Sequence, residues 1–363
     1  MEDAQVTVHG GDVWQVARDL GIPAGDLLDF SANVNPRGLP PCALAQLARD
    51  VTNPLLRKYP DPSARTLRTA LSRQMDVPPE SIVIGPGAEA LMSPALRATG
   101  ARRALVPIPA FSEYARVCAQ QEVEFAAFPL ERSDGFRIPV DELCDVLETE
   151  RFGVVFLNNP HNPSGALLES EDVFRVLNTR TTVLLDEAFI DYALHESLTK
   201  EACTRKGLIV LRSLTKFYGC PALRVGYAVA HPDTAREIAS FLPTWPVTQL
   251  AIDALAIAVG DREYAEASLV ENAARRETLR QRLEALGLTV FPSAANYLFV
   301  ELQPGMKRAA DLRACLIERH GILIRNCDSY EGLETGRDMR VAVLTDAENI
   351  RLTDALAMEL IPS

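Results

Sequence analysis

No pair of cysteines in this chain is spaced C-x-x-C. Its seven cysteines, at 42, 118, 144, 203, 220, 315 and 327, lie scattered through 363 residues. Such spacing signals neither a disulfide framework nor a zinc site, so no metal is expected, and a reducing cytoplasm is the natural setting. An apolar run of ~18 residues is lacking, so no membrane span is expected. The opening stretch MEDAQVTVHGGD has neither the basic nor the apolar region of a secretory signal. Basic residues are the minority: 37 Lys and Arg against 49 Asp and Glu, a net charge of −12. That balance argues against nucleic acid or an anionic membrane as partner. A small anionic ligand stays compatible, because a pocket needs only a few local cations. Low-complexity tracts and internal repeats are also missing. What is present is ordinary for a globular protein, 47% hydrophobic and 24% charged residues, in a chain long enough for two domains.

Apolar runs and helix-spaced segments alternate. Strands are expected at 81–84, 103–106, 123–128, 153–157, 182–185, 208–211 and 225–230, with helices at 88–98, 112–120 and 169–177. Strands apolar on both sides, separated by helices, predict an α/β fold: a mostly parallel sheet flanked by helices. Near residue 250 the pattern changes. A long charged helix is expected over about 263–286. Strands near 296–302, 322–325 and 339–344 follow, with helices near 308–319 and from 346. This tail predicts a smaller α+β domain. Residues 1–40 lack a βα repeat and are expected to form an arm on that small domain. The expected division is 1–40, 41–255 and 256–363.

In open α/β sheets, ligands bind where the strands end. Ile84-Gly85-Pro86-Gly87-Ala88-Glu89 ends one strand in a glycine turn that opens a helix. Glycines allow close backbone approach, and free N–H groups at a helix start favour an anion. The same residues fit G-x-G-x-x-A, a dinucleotide fingerprint. That reading needs a carboxylate at the end of the next strand, where Leu105-Val106-Pro107-Ile108-Pro109 has none. Leu184-Leu185-Asp186-Glu187 closes a second strand with a carboxylate. Burying it is costly unless a cationic or protonated group meets it. A protonated pyridine nitrogen is such a group; a strand-end or helix-capping Asp is the plain alternative. Thirty residues on, Leu211-Arg212-Ser213-Leu214-Thr215-Lys216 ends a third strand. A lysine desolvated there has a lowered pKa and a usable amine nucleophile. Ser213, Thr215 and Arg224 suit a phosphate. Ser213-Leu-Thr-Lys216 also reads S-x-x-K, the serine motif of β-lactamases, but no downstream S-x-N or K-T-G accompanies it.

These segments together resemble the fold-type I pyridoxal-5′-phosphate (PLP) enzymes of the histidinol-phosphate aminotransferase subgroup. The resemblance is carried by Gly85-Pro-Gly-Ala-Glu89, Pro109-Ala-Phe111, Asn158-Asn-Pro-His-Asn162-Pro-Ser-Gly165, Asp186-Glu-Ala-Phe189, Ser213-Leu-Thr-Lys216-Phe-Tyr and Arg224-Val-Gly-Tyr227. It implies Lys216 as the Schiff-base lysine and Asp186 as partner of the ring nitrogen. Phe111 resembles the aromatic stacked on the cofactor, and Asn162 the donor to its phenolic oxygen. The backbone of Ala88 and Glu89, with Ser213 and Arg224, resembles the phosphate clamp, and Gly87, Thr215 and Ala188 are further expected cofactor-binding residues. Tyr59 resembles the tyrosine that reaches the other subunit's cofactor, which implies a homodimer with shared sites.

Within the subgroup, His9-Gly-Gly11, Leu28-Asp-Phe-Ser-Ala-Asn33-Val-Asn35-Pro36 and Ile324-Arg325-Asn-Cys327 are similar to the L-threonine-O-3-phosphate decarboxylases of cobalamin biosynthesis. The resemblance implies a small phosphorylated amino-acid substrate. Arg340 is the expected carboxylate ligand and Arg325 the phosphate ligand, with His9, Asn33 and Asn162 as further donors. The chain departs from the subgroup at Pro86 and His161, where Asn is common, at Ser164 for Thr, and at Phe189 for Tyr. Transamination of a histidinol-phosphate-like amine is the alternative activity.

Overall fold

A computed structural model describes residues 10–360. The strands, in chain order, begin with β1 (Leu28–Asp29), β2 (Ile82–Gly85), β3 (Arg103–Ile108) and β4 (Glu124–Pro129). Next come β5 (Val154–Asn158), β6 (Thr182–Asp186), β7 (Leu208–Ser213) and β8 (Gly226–Ala230). The last are β9 (Thr289–Val290), β10 (Tyr297–Glu301), β11 (Ile322–Leu323), β12 (Arg325–Asn326) and β13 (Asp338–Ala342). Among the described residues no helix is long and apolar enough to cross a membrane.

A seven-stranded sheet in the order β2-β8-β7-β6-β5-β3-β4 forms the larger part. The alternation of side chains along a strand puts apolar residues on both faces. Val155, Leu157, Val183, Leu185 and Val210 belong to one core cluster; Val154, Phe156, Leu184, Ile209 and Leu211 belong to the other. That is why these strands read as unbroken apolar runs. One strand departs from a parallel reading: β8 is antiparallel to both β7 and β2. The connection from β7 holds only the short helix Leu214–Phe217 and a turn at Pro221–Leu223, too little to recross the sheet, so the chain doubles back.

The second sheet is antiparallel, in the order β12-β13-β10-β9, and Leu298, Val300, Met339 and Val341 bury one of its faces. The expected strand at 322–325 is divided at Ile324. β11 pairs parallel with β1 of the N-terminal segment, while β12 pairs antiparallel with β13. Phe30, just past β1, is fully buried in the small-sheet core. The long helix Arg262–Ala285 bridges the two cores: Tyr264 packs with the large sheet, Leu279 and Leu283 with the small one.

Candidate active site

The carboxyl ends of β2, β5, β6 and β7 open into a cleft of about 330 Å³, closed on its far side by β12, β13 and the segment after β1. Each wall residue is there for a local reason. β2 ends at Gly85, and the helix Ala88–Thr99 starts three residues later with Gly87 as its N-cap. Gly87 has φ 108°, and a Cβ there would lie 3.2 Å from Nη2 of Arg224. Only glycine suits that backbone, so the free N–H groups of Ala88 and Glu89 and the Arg224 guanidinium face one space. Arg224 itself is held at φ 51°, a left-handed conformation that is costly for a residue with a Cβ. Its guanidinium lies 3.7 Å from the Glu89 carboxylate. Ser213 and Thr215 complete this corner, their hydroxyl oxygens 2.8 Å apart.

Lys216 lies in the one-turn helix that follows β7 and is partly exposed to the open cleft. Burial pushes its ammonium down to about 8; Arg340 and Arg224 act the same way, and Asp186 and Asp29 oppose them. The side chain is therefore charged below about pH 8 and a free amine above it. We expect the rate at which the cofactor-free protein captures PLP to rise roughly tenfold between pH 7 and 9 and then level off. An unperturbed lysine would give a rise of roughly a hundredfold over that range with no plateau. Stopped-flow absorbance across pH distinguishes the two curves.

Asp186 ends β6 and shares the cleft with Lys216. Its Oδ2 accepts the Tyr114 hydroxyl at 2.7 Å and its Oδ1 the Ala188 N–H at 3.0 Å. Burial raises the carboxyl; those two hydrogen bonds and Lys216 lower it. β5 ends at Asn158, whose Oδ1 accepts the Asn162 N–H at 2.6 Å and whose Nδ2 donates to the Asp186 carbonyl at 2.9 Å. The loop in between carries His161, whose Nε2 lies 2.9 Å from the Pro109 carbonyl and Nδ1 2.7 Å from Ser164 Oγ. A carbonyl only accepts, so Nε2 bears the hydrogen. Burial holds His161 down to about 4, hence neutral near pH 7.

The far wall is cationic. Arg325 and Arg340 face each other as register partners on β12 and β13 and both line the cleft. Arg340 donates through Nη1 to Asn162 Oδ1 and through Nη2 to the Ser31 carbonyl at 2.9 Å. Tyr330 donates to the same Asn162 oxygen at 3.2 Å. Arg325 donates to Ser329 Oγ at 2.7 Å and lies over the Tyr330 ring. Among the described residues, Nε of Arg340 and both amide atoms of Asn33 are buried without a hydrogen-bond partner. Groups buried in this state are costly, and a bound anion would accept from Nε of Arg340 and Nδ2 of Asn33.

The cleft thus gathers Asn33, Gly87, Ala88, Glu89, Phe111, Asn162, Asp186, Ala188, Ser213, Thr215, Lys216, Arg224, Arg325 and Arg340. Tyr59 lies outside its lining: 78% exposed, it stacks on Trp245 at 4.3 Å. His9 lies outside the described residues. Gly10, Ser31, Asn158 and Tyr330 also line the cleft, and the sequence reading assigned them no role. Gly10 lies within the His9-Gly-Gly11 motif already noted, and its Cβ-less backbone packs against the Ser31 carbonyl. Tyr330 carries no sequence signal.

Known proteins agree with this architecture. A threonine-phosphate decarboxylase of Salmonella typhimurium is 36% identical over 360 residues, covering 96% of each chain. A histidinol-phosphate aminotransferase of Methanococcus aeolicus is 29% identical over 369 residues, covering 98% of this chain and 96% of that one. The adenosylcobalamin biosynthesis bifunctional protein CobDQ of Leptospira interrogans is 30% identical over 354 residues, which are 96% of this chain and only 40% of that longer protein. The crystal structure of L-threonine-O-3-phosphate decarboxylase from Porphyromonas gingivalis matches with a TM-score of 0.79 at 27% identity, covering 92% of this chain and 99% of that one. The fold is that of the fold-type I PLP enzymes, and PLP is the cofactor. The cleft fits that group: a lysine whose ammonium is pushed down to about 8, a carboxylate with lone pairs to spare, and a glycine cradle a Cβ would fill. Residues 25–356 match the profile of aminotransferase class I and II, and the chain belongs to that family.

Proposed function

We propose that this enzyme decarboxylates L-threonine O-3-phosphate to (R)-1-amino-2-propanol phosphate, a step of cobalamin biosynthesis. The observation that carries the reading is the pair of facing arginines, Arg325 and Arg340, on the wall beyond Lys216. A substrate with a phosphate at one end and a carboxylate at the other satisfies both; histidinol phosphate brings one anion. The 36% identity to the Salmonella enzyme supports the same choice.

In this reading the bound cofactor supplies an electron-accepting ring for the bond that breaks at the substrate's Cα. Lys216 would hold the cofactor through its amine and would be the cleft group that supplies a proton at the substrate's Cα. Asp186 accepts the ring N–H. Phe111 covers one ring face. Asn162 has its oxygen engaged by Arg340 and Tyr330, so it offers Nδ2 to the phenolic oxygen. Phe189 offers no hydroxyl there and packs edge-on against Tyr297 instead. Ala88, Glu89, Ser213, Thr215 and Arg224 hold the cofactor phosphate. Arg340 would hold and orient the substrate carboxylate, and that orientation would favour loss of the carboxylate over loss of the Cα hydrogen. Arg325 and Asn33 take the substrate phosphate, with His9 as a further donor. The exposed Tyr59 is suited to reach the cofactor of a second copy, so the working form is a homodimer. The free cysteines suit the cytoplasm.

Incubation with phosphothreonine is expected to release CO₂ with no 2-oxo acid added. Strict dependence on 2-oxoglutarate would overturn the decarboxylase reading and establish an aminotransferase, the activity named for relatives of comparable identity.

A further inference from the structure

Tyr114 stands one helical turn beyond Phe111, at the start of the helix Glu113–Gln120, and is 2% exposed. Its ring packs against Phe156 at 5.2 Å and edge-on to Phe111 at 5.8 Å, inside an apolar cluster on one face of the large sheet. A hydroxyl in such surroundings needs a partner, and Oδ2 of Asp186 at 2.7 Å is the partner it has. The packing on two sides fixes where the O–H points.

Asp186 is a carboxylate in a place that favours its neutral form. Burial raises it, and Lys216 is the cation that lowers it. An uncharged carboxylic acid accepts the N–H of a pyridinium poorly. The phenols of Tyr297 and Tyr330 also act on this corner, and both hold the Tyr114 proton more firmly on its oxygen. Tyr114 is thus a donor, never a competing acid, at any pH where the protein works. An ionised carboxylate has roughly four lone-pair sites; Tyr114 and Ala188 fill one on each oxygen, and the others stay available.

We propose that Tyr114 is a positioning residue that, by donating its hydroxyl hydrogen to Oδ2, keeps Asp186 ionised and aimed, so that the pyridine ring binds with its nitrogen protonated. The inference rests on Asp186 being the ring-nitrogen partner. Phe111, two residues before that helix, and Tyr114, in its first turn, would then set the ring cover and the charge of the nitrogen's partner from one short segment.

The test compares two ligands, PLP and its analogue with C–H in place of the ring nitrogen. Their affinities are measured by equilibrium dialysis for the wild type and Tyr114→Phe. The wild type prefers PLP. Tyr114→Phe lowers that preference on the order of tenfold, while affinity for the analogue stays within about twofold. Equal loss for both ligands means that Tyr114 only fills space, and it overturns the proposal, as does an unchanged preference. A wild type with no preference removes the Asp186 assignment itself, an outcome seen before any tyrosine variant is made. Should the phenylalanine variant not fold, Tyr114→His keeps a ring N–H donor and holds the preference within about threefold of wild type; loss of all preference there overturns the proposal equally.

Discussion

Lys216→Ala is expected to yield a folded protein that has lost the yellow colour of lysine-linked PLP and at least about 10⁴-fold in turnover. The size of the loss follows from two tasks proposed for one amine: it would hold the cofactor, and it would supply the proton taken up at Cα. No other cleft residue is placed to take these over: the remaining cations are Arg116, Arg224, Arg325 and Arg340, and guanidinium groups stay protonated. Folding is expected to survive. The lysine is partly exposed to the cleft, so its truncation leaves no closed cavity, and Asp186 keeps its hydrogen bonds from Tyr114 and Ala188 when the cation is gone. Far-ultraviolet circular dichroism and the absorption spectrum after reconstitution check both halves. A variant that keeps the colour, or retains a tenth of the activity, would sink the assignment of Lys216.

Arg340→Ala is expected to weaken phosphothreonine by about 30-fold to 10³-fold while altering the affinity of aminopropanol phosphate by less than about threefold. The two ligands differ by the carboxylate alone, so the difference isolates the group that Arg340 is proposed to hold. The range reflects what truncating one partner of a buried, hydrogen-bonded charge pair removes. Arg340 has an unsatisfied Nε in the free protein, so the site is already desolvated and gains fully when an anion arrives. One indirect effect is also expected: Asn162 loses one of the two donors that orient its amide, which lowers turnover for any substrate. Isothermal titration with each ligand separates the terms. Equal weakening of both would show Arg340 acting through Asn162 and not on the carboxylate.

Much of the cleft is legible in the chain because strand ends announce themselves. One apolar run stops at Asp186 and another a few residues before Lys216, and Gly87 marks a backbone no other residue fits. The direction of β8 is less legible: an apolar run reads alike whichever way it is laid into a sheet. The break at Ile324 is also hidden, since Ile322 to Arg325 looks like one short strand until β1 and β13 claim its two ends. Tyr114 reads as an ordinary core aromatic. Only its approach to a residue 72 positions away gives its hydroxyl a meaning. Tyr59 is legible as a motif, yet the fold places it on an exposed face against Trp245, outside the cleft.

The residue types of the chemistry, and their placement at the ends of strands, are written locally. Strand and helix formation depend on neighbours a few positions apart, and so does the charge or glycine that closes each element. The convergence of Lys216 and Asp186 with two arginines more than a hundred residues further on belongs to the tertiary structure. It depends on strand register and on two cores packed against one helix, and those contacts are selected by burial summed over the whole molecule, which no short window of sequence contains.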